Sequence, residues 1–185
     1  PLIHNVYNTD FVIGVSDQAT NSLNMIFNTE IGHNFLKARK GFDKGFVGRL
    51  PEFGFSTIAN IIASIKLSKY MNLGSDDAVI TVATDGADLY LSELEKAKSD
   101  FDGVYDETSC AEMFGQHLKG VATDNMLELN QKDKERIFNL GYYTWVEQQG
   151  IDLLDFEKRR DQAFWKGQYK YMLSLDHKIN EFNLR

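Results

Sequence analysis

The chain has 185 residues, 43% of them apolar and 25% charged, a composition that supports one or at most two compact domains folded around a core. Its 27 acidic and 20 basic side chains leave a formal charge of −7, which disfavours a general nucleic-acid binder that works by neutralising phosphates. Low proline, 12% aromatics and the lack of long Ser, Gly or charge runs argue against a disordered or fibrous chain.

The single cysteine, Cys110, excludes an internal disulfide framework and a multi-cysteine zinc cluster. It suits a reducing compartment, so the cytoplasm is the expected location. No apolar run approaches the roughly 18–20 residues needed to span a bilayer. The opening PLIHNVYNTD has neither the basic nor the apolar region of a leader, so no membrane association is expected. Pro1 stands close in front of an apolar strand-like segment, and a truncated or processed product is expected from that start.

The segment Phe11-Val12-Ile13-Gly14-Val15 is short, β-branched and apolar on both faces, which predicts a parallel strand buried between layers of helices. Ser16-Asp17 offers an N-cap pair, and Leu23, Phe27 and Ile31 recur at helical spacing. A helix is predicted from about Asp17 to Ala38, broken at Gly32. The glycine-rich stretch from Gly41 to Phe55 reads as loop. Ser56 or Thr57 then caps a helix whose Ile58, Ile61, Ile62 and Ile65 form a 3.6-residue stripe ending near Tyr70.

After a turn at Asn72–Asp76, the run from Ala78 to Ala83 predicts a second buried strand. Thr84-Asp85-Gly86 is a tight exit into a helix that begins at Ala87. Strand, helix, strand, helix implies an α/β layer with part of a parallel sheet flanked by helices. From Glu107 onward no strand-like run is predicted: helices are expected at about 107–119, 131–149, 153–160 and 161–182. Residues 1–106 thus read as the α/β part and residues 107–185 as an all-helical C-terminal extension packed on it.

Ligands of open parallel sheets gather beyond the carboxyl ends of strands, where loops and helix N-termini present unpaired N–H groups. Gly54-Phe55-Ser56-Thr57 and Ala83-Thr84-Asp85-Gly86-Ala87 meet that description. Ordinary capping and a ligand contact are both open to their hydroxyls. The four histidines, His4, His33, His117 and His177, are widely spaced and form no paired helical metal motif. Cys110 has no base near it in sequence and reads as a packing residue. In the glycine-rich stretch Lys44 precedes Gly45, the wrong order for a phosphate loop.

Taken in order, these motifs carry a resemblance. The stretch from Gly54 to Leu67 resembles a hydroxyl-bearing loop and helix of cysteine synthase and its relatives, the fold-type II (tryptophan synthase β-like) pyridoxal-phosphate enzymes. Val79–Gly86 resembles that family's final strand and its exit. The pieces Ile3-His4-Asn5, Thr81–Asp85 and Ile137–Trp145 are similar to a cysteine synthase-like branch. The resemblance covers most of the chain and implies the C-terminal part of the family's large domain.

It implies that the Thr84 hydroxyl lies against the pyridine nitrogen of pyridoxal 5'-phosphate, with Ser56 a neighbour from the other loop. A hydroxyl, unlike a carboxylate, does not hold the ring nitrogen protonated, which favours β-elimination or β-replacement on a serine- or cysteine-like amino acid. The family has Ser-Ser where this chain has Thr84-Asp85, and Ser-Ser-Gly where it has Ser56-Thr57-Ile58. The family's Schiff-base lysine and glycine-rich phosphate loop correspond to nothing here, and Lys44, Lys66 and Lys69 stand in the wrong context. The resemblance therefore implies an N-terminal portion of the same enzyme as partner, an amino-acid substrate, a homodimer, and no activity from this chain alone. The other expectation is a non-catalytic α/β binding or interaction module.

Overall fold

The computed structural model describes residues 4–99 and 104–184. Its elements run β1 (Phe11–Ile13), α1 (Asp17–Asn28), α2 (Glu30–Lys40), α3 (Lys44–Arg49), α4 (Phe55–Tyr70), α5 (Leu91–Ser99), α6 (Glu107–Phe114), β2 (Met126–Glu128), α7 (Gln131–Tyr142), α8 (Leu153–Lys158), α9 (Gln162–Gly167) and α10 (Met172–Asn183). Wider π-helical turns continue α6 through Gly115–Lys119 and α7 through Tyr143–Gln148.

The expected parallel sheet flanked by helices does not form. Among the described residues the protein is mostly helical, and its sheet has two strands, β1 and β2, which run antiparallel. The Gly14 N–H donates to Asn125 O at 2.8 Å at one end, and the Leu129 N–H donates to Asp10 O at 2.8 Å at the other. β1 is also not buried between layers, since Val12 is 43% exposed. The run Ala78–Ala83 is not a strand but an uncovered segment without regular structure, with Ile80 94% and Val82 66% exposed. A strand exists only where a neighbouring ladder takes its N–H and C=O groups. Here, among the described residues, only the Val82 carbonyl is engaged, by Asn60 Nδ2 at 2.9 Å.

The chain divides into two compact units, Ile13–Met126 and a second built from residues 1–12 with 127–185. The main chain passes between them once within β1 and once within β2.

The hub of the larger unit is α1, which packs against α2, α4, α5 and α6. Ser16 Oγ caps it, accepting from the Ala19 N–H at 3.1 Å. From Ser22 to Phe27 every residue is buried, as befits a helix enclosed on all sides. The predicted long helix breaks at Thr29 rather than at Gly32. Thr29 Oγ1 accepts from the Gly32 N–H at 3.1 Å and donates to Met25 O at 2.7 Å, ending α1 and capping α2 with one side chain. Gly32 allows the close return: a Cβ there would stand 2.1 Å from Ile26 O. Within the stretch read as loop, Asp43 caps α3 by accepting from the Phe46 N–H at 2.7 Å, and Val47 and Leu50 reach the core. Ile58 and Ile62 of α4 and Cys110 of α6 complete that core.

In the smaller unit, Phe138 of α7 and Phe156 of α8 pack with ring centroids 4.7 Å apart, joined by Val6, Tyr7 and Tyr142. The buried Arg159 guanidinium lies 4.9 Å from the Phe156 ring centroid and 5.2 Å from that of Phe138. Among the described residues Nε and Nη1 of Arg159 have no hydrogen-bond partner, and the ring faces stand in for one. Next to it Arg160 donates to Glu135 at 2.7 Å, Glu157 at 2.5 Å and Asn139 at 2.8 Å, and also to the Tyr7 hydroxyl. β2 corrects the expectation of an all-helical second half. α10 buries none of its residues, leaving Leu173 83% and Phe182 75% exposed. No helix of the described residues is long and apolar enough to cross a membrane.

Candidate functional site

The two segments singled out from the sequence meet. α4 begins at Phe55 with Gly54 as its N-cap residue, and no side chain caps it. The Gly54 N–H instead donates to Asp85 O at 2.8 Å. Glycine is required at this approach, because a Cβ on Gly54 would stand 2.6 Å from Asp85 O and 3.0 Å from Gly86 O.

Three residues into the helix, the buried Thr57 offers Oγ1 to the Thr84 N–H at 2.9 Å, and the two threonine hydroxyl oxygens lie 3.4 Å apart. Thr84 is exposed, so its hydroxyl keeps a free direction toward solvent. The Asp85 carboxylate is turned to one side, where it accepts from the Tyr90 hydroxyl at 3.0 Å. That hydrogen bond raises the Tyr90 hydroxyl above its ordinary pKa, and the Ser56 hydroxyl beside it pulls the other way.

Ser56 is exposed in the first turn of α4 and lines a cavity of about 460 Å³ with Phe55, Tyr90, Glu93 and Lys96. Thr84 does not line that cavity. The structure thus joins Thr84 to Thr57, the hydroxyl of the Ser56-Thr57 pair that faces inward, and places Ser56 on the other side of the same helix turn. Tyr90 went unnoticed in sequence, although its place six residues beyond Thr84, on the turn leading into α5, signals it. Ile3 of the resembling N-terminal piece lies outside the described residues. His4 Nε2 and Thr9 Oγ1 are hydrogen-bonded at 2.9 Å.

The lysines weighed for a covalent role stand elsewhere. Lys44 opens α3 at the surface. Lys66 donates to Gly14 O at 2.8 Å, and Lys69 to Val121 O at 2.7 Å. Cys110 is fully buried and donates to the Tyr105 hydroxyl at 3.1 Å; burial pushes its thiol pKa up. No protein-family profile, curated protein or solved structure matches the chain.

Proposed function

We propose that this chain supplies the ring-side wall of a pyridoxal 5'-phosphate site in an enzyme carrying out β-elimination or β-replacement on a serine- or cysteine-like amino acid. The observation that carries the reading is the direct junction of the two resembling segments, 27 residues apart, through Thr57 Oγ1 and the Thr84 N–H.

The residues present fit the ring side of such a group. Among the described residues Thr84 Oγ1 has one distant partner, at 3.4 Å, so its proton can be given to a ring nitrogen. The neighbouring carboxylate, which would hold that nitrogen protonated, is engaged by Tyr90. When bound, the cofactor supplies an electron sink for carbanion chemistry, and the milder hydroxyl partner favours loss or exchange of a β-substituent. Thr57 fixes the main chain at Thr84, and Gly54 holds the loop against Asp85, so the hydroxyl is presented on a braced segment. The lysine and the phosphate loop come from the N-terminal portion of the same enzyme in this reading, and this chain alone does not turn over substrate. A cytoplasmic location and a homodimer belong to the same proposal.

The test joins this chain to an upstream half carrying a lysine and a glycine-rich loop, adds the cofactor, and records visible absorption. A lysine-bound chromophore is expected. Thr84→Ala should weaken cofactor retention about two- to twelve-fold, the equivalent of one hydrogen bond of ~0.5–1.5 kcal/mol, and Thr84→Ser should restore it. No chromophore in the joined protein, or unchanged retention and kinetics in Thr84→Ala, refutes the proposal. The second reading, a non-catalytic binding or interaction module, is favoured by the engagement of Lys66 and Lys69 away from Thr84, and a joined protein without chromophore would support it.

A further inference from the structure

We propose that the open cavity lined by α1, α4 and the π-helical turn after α6 binds a small organic carboxylate, held by Lys66 and His117. The cavity has a volume of about 590 Å³, within the roughly 300–1,000 Å³ of small-molecule sites. All its lining residues belong to the unit Ile13–Met126. It is separate from the wall at Thr84: neither Thr84 nor Ser56 lines it, and Lys66 lies about 15 Å along α4 from Ser56 at 1.5 Å per residue.

Lys66 is only 5% exposed. Its Nζ donates to Gly14 O at 2.8 Å and to Asp124 Oδ1 at 3.2 Å. An ammonium carries three protons, so these two oxygens leave one unclaimed. The Asp124 side chain is 67% exposed, and water competes for its charge. The ammonium therefore keeps one donor direction for an incoming anion.

His117, on the facing π-helical turn, is 9% exposed and has no hydrogen-bond partner among the described residues. Burial holds its imidazole below the ordinary histidine pKa. At neutral pH the ring is uncharged and offers one N–H. The third ammonium proton of Lys66 and the ring N–H of His117 both border the cavity, and such a pair of donors suits the two oxygens of a carboxylate. Val15, Ala19, Ile62 and Val121 line the same space and suit a short apolar body. A phosphate dianion is a poorer match, since among the described lining residues Lys66 is the one lysine or arginine and Asp124 is a carboxylate.

The test follows imidazole and amide signals of the ¹⁵N-labelled full chain during titration with propionate, with sodium chloride at matched ionic strength as the control. A saturable shift of the His117 ring signals is expected with propionate only. Lys66→Met, which keeps the apolar stem, should weaken binding at least about ten-fold, the effect of losing a charge-assisted hydrogen bond. His117→Phe, read through the Gly14 and Asn125 amides, should weaken it several-fold. The proposal is overturned by the absence of saturation, by an equal response to chloride, or by tighter binding of inorganic phosphate than of propionate. Wild-type affinity in Lys66→Met also overturns it, and if that variant does not fold, wild-type affinity in His117→Phe does so.

Discussion

Replacing Gly54 by alanine tests whether the junction between α4 and the Thr84 segment is a built feature. The backbone at Gly54 has φ −81° and accepts any residue, so the effect is one of contact alone. The new Cβ would lie 2.6 Å from Asp85 O, 2.8 Å from Tyr90 Cε2 and 3.0 Å from Gly86 O. Two of these neighbours are main-chain atoms, which move only if the Asp85–Gly86 segment lifts away. Lifting breaks the Gly54–Asp85 hydrogen bond at 2.8 Å and strains that of Thr84 on Thr57 at 2.9 Å. Each is worth ~0.5–1.5 kcal/mol. Alanine is also a poorer N-cap residue than glycine by about 1 kcal/mol. The expected loss is about 2–4 kcal/mol, which lowers a urea midpoint by roughly 1–2 M for a slope near 2 kcal/mol/M.

Both tryptophans, Trp145 and Trp165, belong to the smaller unit, so tryptophan fluorescence is the wrong probe. Far-UV circular dichroism, paired with hydrogen exchange at the Gly54 and Thr84 amides, localises the change. Thr57→Val removes the acceptor of the Thr84 N–H, and combined with Gly54→Ala it should cost much less than the sum of the two. A loss under about 0.5 kcal/mol with both amides still protected, or full additivity of the pair, would refute the reasoning.

Phe156→Ala empties the centre of the smaller unit, where the ring is 1% exposed and packed at a tilt against Phe138; chemical denaturation followed by tryptophan fluorescence should show a loss of about 3–5 kcal/mol. Glu135 is held below the usual carboxylate pKa, chiefly by the Tyr7 hydroxyl and then by Arg160. The stability it adds is therefore complete above the ordinary carboxylate value and disappears as the pH falls through its lower folded value. Glu135→Gln should flatten that acid limb of the stability–pH curve while leaving its shape near neutrality unchanged. Cys110 is fully buried with its thiol pKa raised, so an aromatic disulfide reagent should titrate it only at the rate of unfolding; prompt reaction in the native protein would contradict the packing described.

Helix signals were the legible part of the sequence because they are local. Asn130 with Asp133, Asp152 and Asp161 each cap the helix that follows, and the periodic isoleucines of α4 fall where expected. Extending the Ile58–Ile62 spacing by one turn reaches Lys66, so its burial was readable from the same stripe. α3 was hidden by its glycines, since the burial of Val47 and Leu50 outweighs their low helix propensity. β2 is Met126-Leu127-Glu128, with no β-branched residue to announce it.

Ala78–Ala83 shows the opposite failure. Its composition is that of a strand, but pairing depends on a distant partner that composition does not encode. At the site, the sequence located both segments and two exposed hydroxyls. It did not distinguish Thr57 from Ser56 as the inward one, because that choice depends on how α4 is rotated against the Thr84 segment.

The double passage of the main chain through β1 and β2 has a consequence for biosynthesis. Residues 13–126 form one continuous stretch and can complete their packing soon after leaving the ribosome, before the C-terminal helices have all emerged. Val6 and Tyr7 must wait for Phe138 and Phe156, more than 120 positions downstream, before their apolar surface is covered. Val6 and Tyr7 are thus synthesised long before they find their contacts, and the long loop closure involved makes this unit the slower to mature.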